Sequence, residues 1–173
     1  MRSMILTAAL VVLSSLSQVS AQSAGLEIGN NSPEISLPSP KGDTIRLSSL
    51  KGKMVLIDFW ATWCSPCVQE QSDLKRLYAR YKNSRFTNGN GFEIFGVSLD
   101  AKKPAWEGFV RKQNITWIQV SDLKFWRSPV AKTYNIQELP YNLLIDANGV
   151  ILGKNLHGAD LENGIAKYAI SKK

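Results

Sequence analysis

The stretch Val55-Leu-Ile-Asp-Phe-Trp-Ala-Thr-Trp-Cys-Ser-Pro-Cys67 constrains the fold more than any other part of the chain, because an apolar run leads straight into two cysteines three positions apart. Cys64 and Cys67 are the only cysteines present, so any sulfur chemistry takes place at this junction. A disulfide closing so small a loop removes little entropy from the unfolded chain, which makes a structural staple a poor explanation for the pair. The apolar character of residues 54–59 predicts a central strand covered on both faces.

A helix is predicted to follow. Pro66 suits the first helical turn, where its missing N–H is no loss, and Val68, Leu74, Leu77, Tyr78 and Tyr81 recur at helical spacing up to about Lys82. Cys64 then falls at the helix N-terminus, with Cys67 one turn further in on the same face. Unpaired N–H groups and the helix dipole favour a thiolate there. An exposed Cys64 thiolate beside a more enclosed Cys67 is the arrangement that thiol–disulfide exchange requires, one sulfur attacking and the other resolving the mixed disulfide. Zinc is the rival use of such a pair. A structural zinc site wants four ligands, whereas the chain has two cysteines and one histidine, His157. No metal and no cofactor are expected, and His157 is expected to be exposed.

The segment Asp58-Phe-Trp-Ala-Thr-Trp-Cys-Ser-Pro-Cys67 resembles the active-site segment of thioredoxin-fold proteins. Gly29-Asn-Asn-Ser-Pro-Glu-Ile-Ser-Leu37, Gly42-Asp-Thr-Ile-Arg-Leu-Ser-Ser-Leu-Lys-Gly-Lys53 and Leu139-Pro-Tyr-Asn-Leu-Leu-Ile-Asp-Ala-Asn-Gly149 are similar to the extracytoplasmic TlpA/ResA type. The resemblance covers nearly all of the chain after residue 25. It implies an α/β, thioredoxin-like fold, a central mixed sheet flanked by helices, with an N-terminal β-hairpin extension. It also implies a reductant of protein disulfides, such as those of apocytochromes c, that is fed by a membrane thiol electron donor. Pro140 resembles the cis-proline that lies against the cysteine pair in this fold, leaving the Leu139 backbone free to pair with an extended substrate. Trp63, Ser65, Pro66, Leu139 and Pro140 thus form the expected contact surface. Tyr141 departs from the small hydroxyl residue common in relatives.

Two carboxylates accompany the cysteines. Asp58 interrupts a buried strand, where a charge is costly unless paired or protonated; it stands where thioredoxins carry a buried acid thought to assist proton transfer. Glu70 matches an acid that ResA-like proteins place near the same pair, and carrying both is a departure from that group. Cys67 must become a thiolate to resolve the mixed disulfide, and Asp58 or Glu70 is the expected proton acceptor. The alternative for Glu70 is an ordinary carboxylate favoured by the helix dipole.

The rest of the chain supports one globular domain over residues 22–173, with residues 22–34 a polar lead-in. Before it, Arg2, the apolar run 4–16 and Val19-Ser-Ala21 read as a signal peptide over residues 1–21, with an uncleaved anchor as the alternative. An extracytoplasmic, periplasmic location follows. A formal net charge of +7 is spread along the chain, which favours a solvated surface over nucleic-acid binding. A monomer is expected.

Short strands are expected over residues 35–37 and 44–46, further strands at 92–99 and 117–120, and helices at 104–113 and from Pro129. Residues 83–91, rich in Asn and Gly, read as a surface loop. Asn148-Gly149 reads as a two-residue hairpin turn, and Asp160 as the cap of a last helix carrying Leu161, Ile165 and Tyr168 inward. Trp106, Trp117 and Trp126 are expected in the core, the alternative being a partner groove. Three other functions stay open: a disulfide-forming oxidant, a thiol peroxidase and a non-enzymatic binding module. The peroxidase lacks support from the Pro-x-x-x-Thr/Ser-x-x-Cys pattern, which Trp60-Ala-Thr-Trp-Cys64 does not provide.

Overall fold

The computed structural model describes residues 25–170; the signal segment read over residues 1–21 lies outside them. The described chain begins with an antiparallel hairpin, β1 (Ser36–Pro38) and β2 (Thr44–Arg46), followed by a 3-10 turn at Leu47–Leu50. β3 (Met54–Trp60) is buried at all seven positions, as its unbroken apolar run predicts. It feeds α1 (Ser65–Tyr81). Next come a two-residue pair, β4 (Arg85–Phe86) and β5 (Gly89–Asn90), and the fully buried β6 (Phe92–Ser98). α2 (Lys103–Lys112) and β7 (Ile118–Val120) follow. α3 (Pro129–Thr133), β8 (Tyr141–Ile145), β9 (Ile151–Lys154) and α4 (Gly158–Ala166) complete the order.

Five strands form the central sheet in the order β7-β6-β3-β8-β9. β3, β6 and β7 run parallel, while β8 is antiparallel to both β3 and β9. The sheet is therefore mixed, with β3 at its centre and the cysteine pair at its C-terminal end. Side chains alternate across a strand, and β3 divides its residues between two cores accordingly. Met54, Leu56 and Trp60 pack with Cys64, Cys67, Leu74 and Leu77 of the α1 side and with Leu161 and Ile165 of α4. Val55, Ile57 and Phe59 face the other way, against Ile35, Leu37 and Leu50 of the N-terminal extension and Tyr134 after α3. Each such buried side chain stabilises the fold by roughly 1.5–3 kcal/mol.

Three local expectations are corrected. Residues 83–91 form a tight hairpin rather than a loop, because Phe86 is buried against Tyr81. Gly89 fits its centre, where a Cβ would stand 2.6 Å from the Gly52 carbonyl oxygen. The β8–β9 turn is wider than two residues. Asp146 Oδ1 accepts the backbone N–H groups of Asn148 and Val150, both at 2.9 Å, while the Gly149 N–H reaches the Asp146 carbonyl. Finally, α4 starts three residues earlier than expected. His157 is its N-cap residue, without a side-chain cap bond, and Asp160 lies in the first turn, where its charge complements the dipole.

Candidate active site

Cys64 occupies the N-cap of α1 with extended backbone, φ −87° and ψ 102°, and its Sγ accepts the Cys67 N–H at 3.2 Å. Cys64 and Cys67 are joined in a disulfide, their Cα atoms 5.3 Å apart. The expected contrast in exposure is narrower than the sequence implied: Cys64 is 5% exposed and Cys67 1%. The cap contact draws the Cys64 sulfur back over the first turn, which limits its exposure. Ser65 and Pro66 are exposed beside it.

An acid that the sequence reading overlooked fixes the approach to the pair. The buried Asp100 carboxylate accepts the Thr62 N–H at 3.1 Å, the Thr62 hydroxyl at 2.6 Å and the Ser98 hydroxyl at 2.8 Å. Thr62 is thereby tied to the end of β6, and Trp63 and Cys64 follow it in a fixed direction. Trp60, the last residue of β3, donates its indole N–H to buried Gln119 Oε1 at 3.0 Å.

Asp58 lies on β3, the strand that leads into the cysteines. It shares the face of β3 that Leu56 and Trp60 turn towards α1. Its register partners are Gly96 on β6 and Asn142 on β8. The side chain is buried and its Oδ2 has no hydrogen-bond partner. Burial, and secondarily the charge of Glu70, push its pKa up to about 8. The acid is therefore mostly neutral at pH 7 when the disulfide is closed.

Glu70 does not stand alone on its helix face. Its Oε1 is 2.9 Å from His157 Nδ1, and His157 Nε2 is 2.9 Å from Asn155 Oδ1. Asn142 holds this loop in place: its side chain bonds both the Leu156 carbonyl, at 2.6 Å, and the Leu156 N–H, at 2.9 Å. His157, expected to be exposed, is half-exposed and partnered. No local motif signals this contact, because only the packing of α4 beside α1 creates it.

Pro140 follows a cis Leu139–Pro140 bond, as the resemblance implied. With Pro66, Gln69, Glu70, Asp73 and His157 it lines an open groove of about 410 Å³. Leu139 is half-buried and packs on the edges of both cores. Trp63, immediately before Cys64, is exposed and meets Phe125 and Trp126. Trp106 and Trp117 are core residues as expected, whereas Trp126 is 39% exposed and is not. The fold therefore gathers Pro66, Glu70 and Pro140 around one groove, with Cys64, Cys67 and Asp58 on the inner side of α1. Trp63, exposed, immediately precedes Cys64 in the chain.

Residues 28–153 match the model of the AhpC/TSA family. Thiol-disulfide oxidoreductase ResA of Geobacillus kaustophilus is 33% identical over 130 residues, covering 75% of this chain and 70% of the relative. ResA of Oceanobacillus iheyensis is 30% identical over 152 residues, covering 86% and 74%. Among solved structures, the thioredoxin domain of a thiol-disulfide oxidoreductase from Bacteroides vulgatus superposes with a TM-score of 0.74 at 34% identity, over 83% of this chain and 98% of that one. A thiol-disulfide oxidoreductase from Bacteroides fragilis gives 0.71 at 35% identity, over 80% and 98%.

Proposed function

The chain belongs to the AhpC/TSA family and is a thiol-disulfide oxidoreductase similar to ResA; from that premise we propose that it reduces protein disulfides outside the cytoplasm. The observation that carries this reading is the redox-capable pair at a helix N-terminus, with Cys64 as the cap residue and cis Pro140 in the adjoining groove. Export is supported by Arg2, the apolar run 4–16 and Val19-Ser-Ala21. The mature domain would begin at residue 22. Among the described residues no helix is long and apolar enough to cross a membrane.

In the reductive direction the Cys64 thiolate attacks one sulfur of a substrate disulfide. A Cys64–substrate bond forms, the substrate S–S bond breaks, and one substrate sulfur leaves as a thiolate. Cys67 then loses its proton and attacks Cys64 Sγ, which closes the Cys64–Cys67 disulfide and expels the second substrate thiolate. Two electrons have moved from the enzyme dithiol to the substrate, and the departing thiolates take up protons. Asp58 accepts the Cys67 proton when it is ionised, and its burial, with the charge of Glu70 as a smaller contribution, makes that ionisation harder. A membrane thiol donor supplies the electrons that reopen the enzyme disulfide. Trp63, Ser65, Pro66, Leu139 and Pro140 hold the substrate chain.

The reduction potential of the pair decides the direction. Equilibration of the intact protein in thiol redox buffers, followed by alkylation of free thiols, is expected to give a value near roughly −270 mV, the reducing end of the scale. A value near roughly −120 mV would make the protein an oxidant and overturn the proposal.

A further inference from the structure

Three large aromatic rings lie open to solvent next to the redox pair. Trp63 is 47% exposed, Phe125 39% and Trp126 39%. Their ring centroids are 5.1 Å apart for Trp63–Phe125, 6.0 Å for Trp63–Trp126 and 6.1 Å for Phe125–Trp126. Trp63 precedes Cys64 directly, whereas the other two rings come from a 3-10 turn at Phe125–Arg127, far along the chain. Three mutually touching rings left in water are unusual for a surface and mark a site of association.

The turn that carries the rings is built rather than loose. Leu123 and Phe125 both adopt φ +56°, a left-handed conformation that bulky residues avoid. Ser121 Oγ receives the Leu123 N–H at 3.1 Å and donates to the Ser98 carbonyl at 2.8 Å. The Ser128 N–H reaches the Phe125 carbonyl at 3.1 Å. Rings held in this way lose little freedom when a partner covers them. Exposed Lys124 and Arg127 bracket the two rings in the sequence Lys124-Phe-Trp-Arg127, while the nearby Asp122 carboxylate is turned to the Lys124 N–H at 3.1 Å.

We propose that Trp63, Phe125 and Trp126 form a docking surface for an extended protein segment that carries an aromatic side chain beside its cysteine and carboxylates further out. The inference rests on the thiol–disulfide exchange reading and adds the class of substrate. Apolar rings select the aromatic residue, and Lys124 and Arg127 select the acids by charge complementarity. A protein segment fits better than a lipid surface, because a bilayer seated on Trp63 would cover the adjacent Cys64. The surface and the groove both adjoin the redox pair in sequence: Trp63 directly precedes Cys64, and Pro66 of the groove follows it by two residues.

Calorimetric titration of the intact oxidised protein with the capped peptides Glu-Phe-Ser-Phe-Glu, Lys-Phe-Ser-Phe-Lys and Glu-Ser-Ser-Ser-Glu tests the proposal. The first is expected to bind about tenfold more tightly than either of the others. Phe125→Ser combined with Trp126→Ser should abolish that preference, and Lys124→Glu combined with Arg127→Glu should shift it towards the lysine peptide without touching a buried group. Equal affinity for all three peptides overturns the proposal. So does binding to vesicles of anionic phospholipid, or self-association in sedimentation, that the aromatic double variant loses while peptide preference is absent. Exchange of the reduced protein with glutathione disulfide is followed in parallel. Its absence with peptide preference intact would remove the exchange reading and leave the docking surface standing.

Discussion

Glu70 and His157 join the first helix to the last beside the redox pair, with Glu70 Oε1 and His157 Nδ1 2.9 Å apart. The Glu70 side chain is mostly buried and that of His157 is partly open, so the contact fixes a wall of the groove while remaining screened by water. His157→Ala is expected to lower stability by about 0.5–1 kcal/mol, read as a small fall in the urea midpoint. The effect is expected to spread along the groove, with amide shift changes at Gln69 and Asp73. An unchanged urea midpoint would show that the contact contributes nothing in solution.

Asp58 has the opposite energetic sign. Its carboxyl is pushed up to about 8 in the fold, from an ordinary value of 3.8. The folded state therefore holds a proton that the unfolded chain releases between these values. Stability contributed by this group is greatest below pH 3.8, falls as pH rises, and levels off above about 8. Asp58→Asn is expected to remove that slope and to stabilise the protein at pH 7 by up to about 4 kcal/mol, if the amide is accommodated without loss. Urea unfolding at several pH values reads the effect. A parallel slope in wild type and variant between pH 5 and 8 would sink this assignment.

The same acid makes a kinetic prediction. As the proton acceptor for Cys67, Asp58 works only when ionised, so closure of the Cys64–Cys67 disulfide should accelerate through an inflection that burial displaces above the ordinary carboxylate range. Asp58→Asn should slow closure at high pH and erase that inflection. Stopped-flow measurement of mixed-disulfide resolution against pH checks it, and an identical profile in the variant would assign the proton to another group.

Much of this was legible in the sequence because it is local. The apolar run of β3, Pro66 in the first turn of α1 and the two cysteines at its start are short-range signals, and each lies where its spacing predicts. The cis bond before Pro140 came from resemblance, not from composition. What stayed hidden depends on long-range packing. Asp100 reaches Thr62 across the gap between β6 and α1, and His157 reaches Glu70 only because α4 lies alongside α1. Phe86 looked like part of a polar loop because its partner, Tyr81, sits on the preceding helix. Trp126 was misplaced for the converse reason: an exposed aromatic has the same letter as a buried one.

Asp100 should matter for stability more than its distance from the sulfurs implies. Its carboxylate accepts three hydrogen bonds, two from Thr62 and one from Ser98, in a buried setting. Asp100→Ala leaves those donors unpaired and is expected to destabilise the fold by about 3 kcal/mol. The variant is also expected to react with alkylating agents at reduced Cys64 faster than wild type, because Thr62 no longer fixes the segment that ends in Cys64. Unchanged alkylation kinetics alongside lowered stability would confine Asp100 to the core.

The division of labour between the sulfurs gives the most direct chemical outcome. Cys67 is 1% exposed and lies one turn inside α1, while Cys64 is its cap and the more accessible of the two. Cys67→Ser leaves the attacking sulfur but removes the one that resolves, so incubation with an oxidised protein substrate is expected to accumulate a mixed disulfide visible on a non-reducing gel. Cys64→Ser leaves only the enclosed sulfur and should trap little. Turnover is expected to vanish in both variants, since each removes one of the two thiols that carry the electron pair. Trapping through Cys67 in the Cys64→Ser protein, at a rate matching the reverse case, would exchange the two roles and with them the polarity assigned to the helix N-terminus.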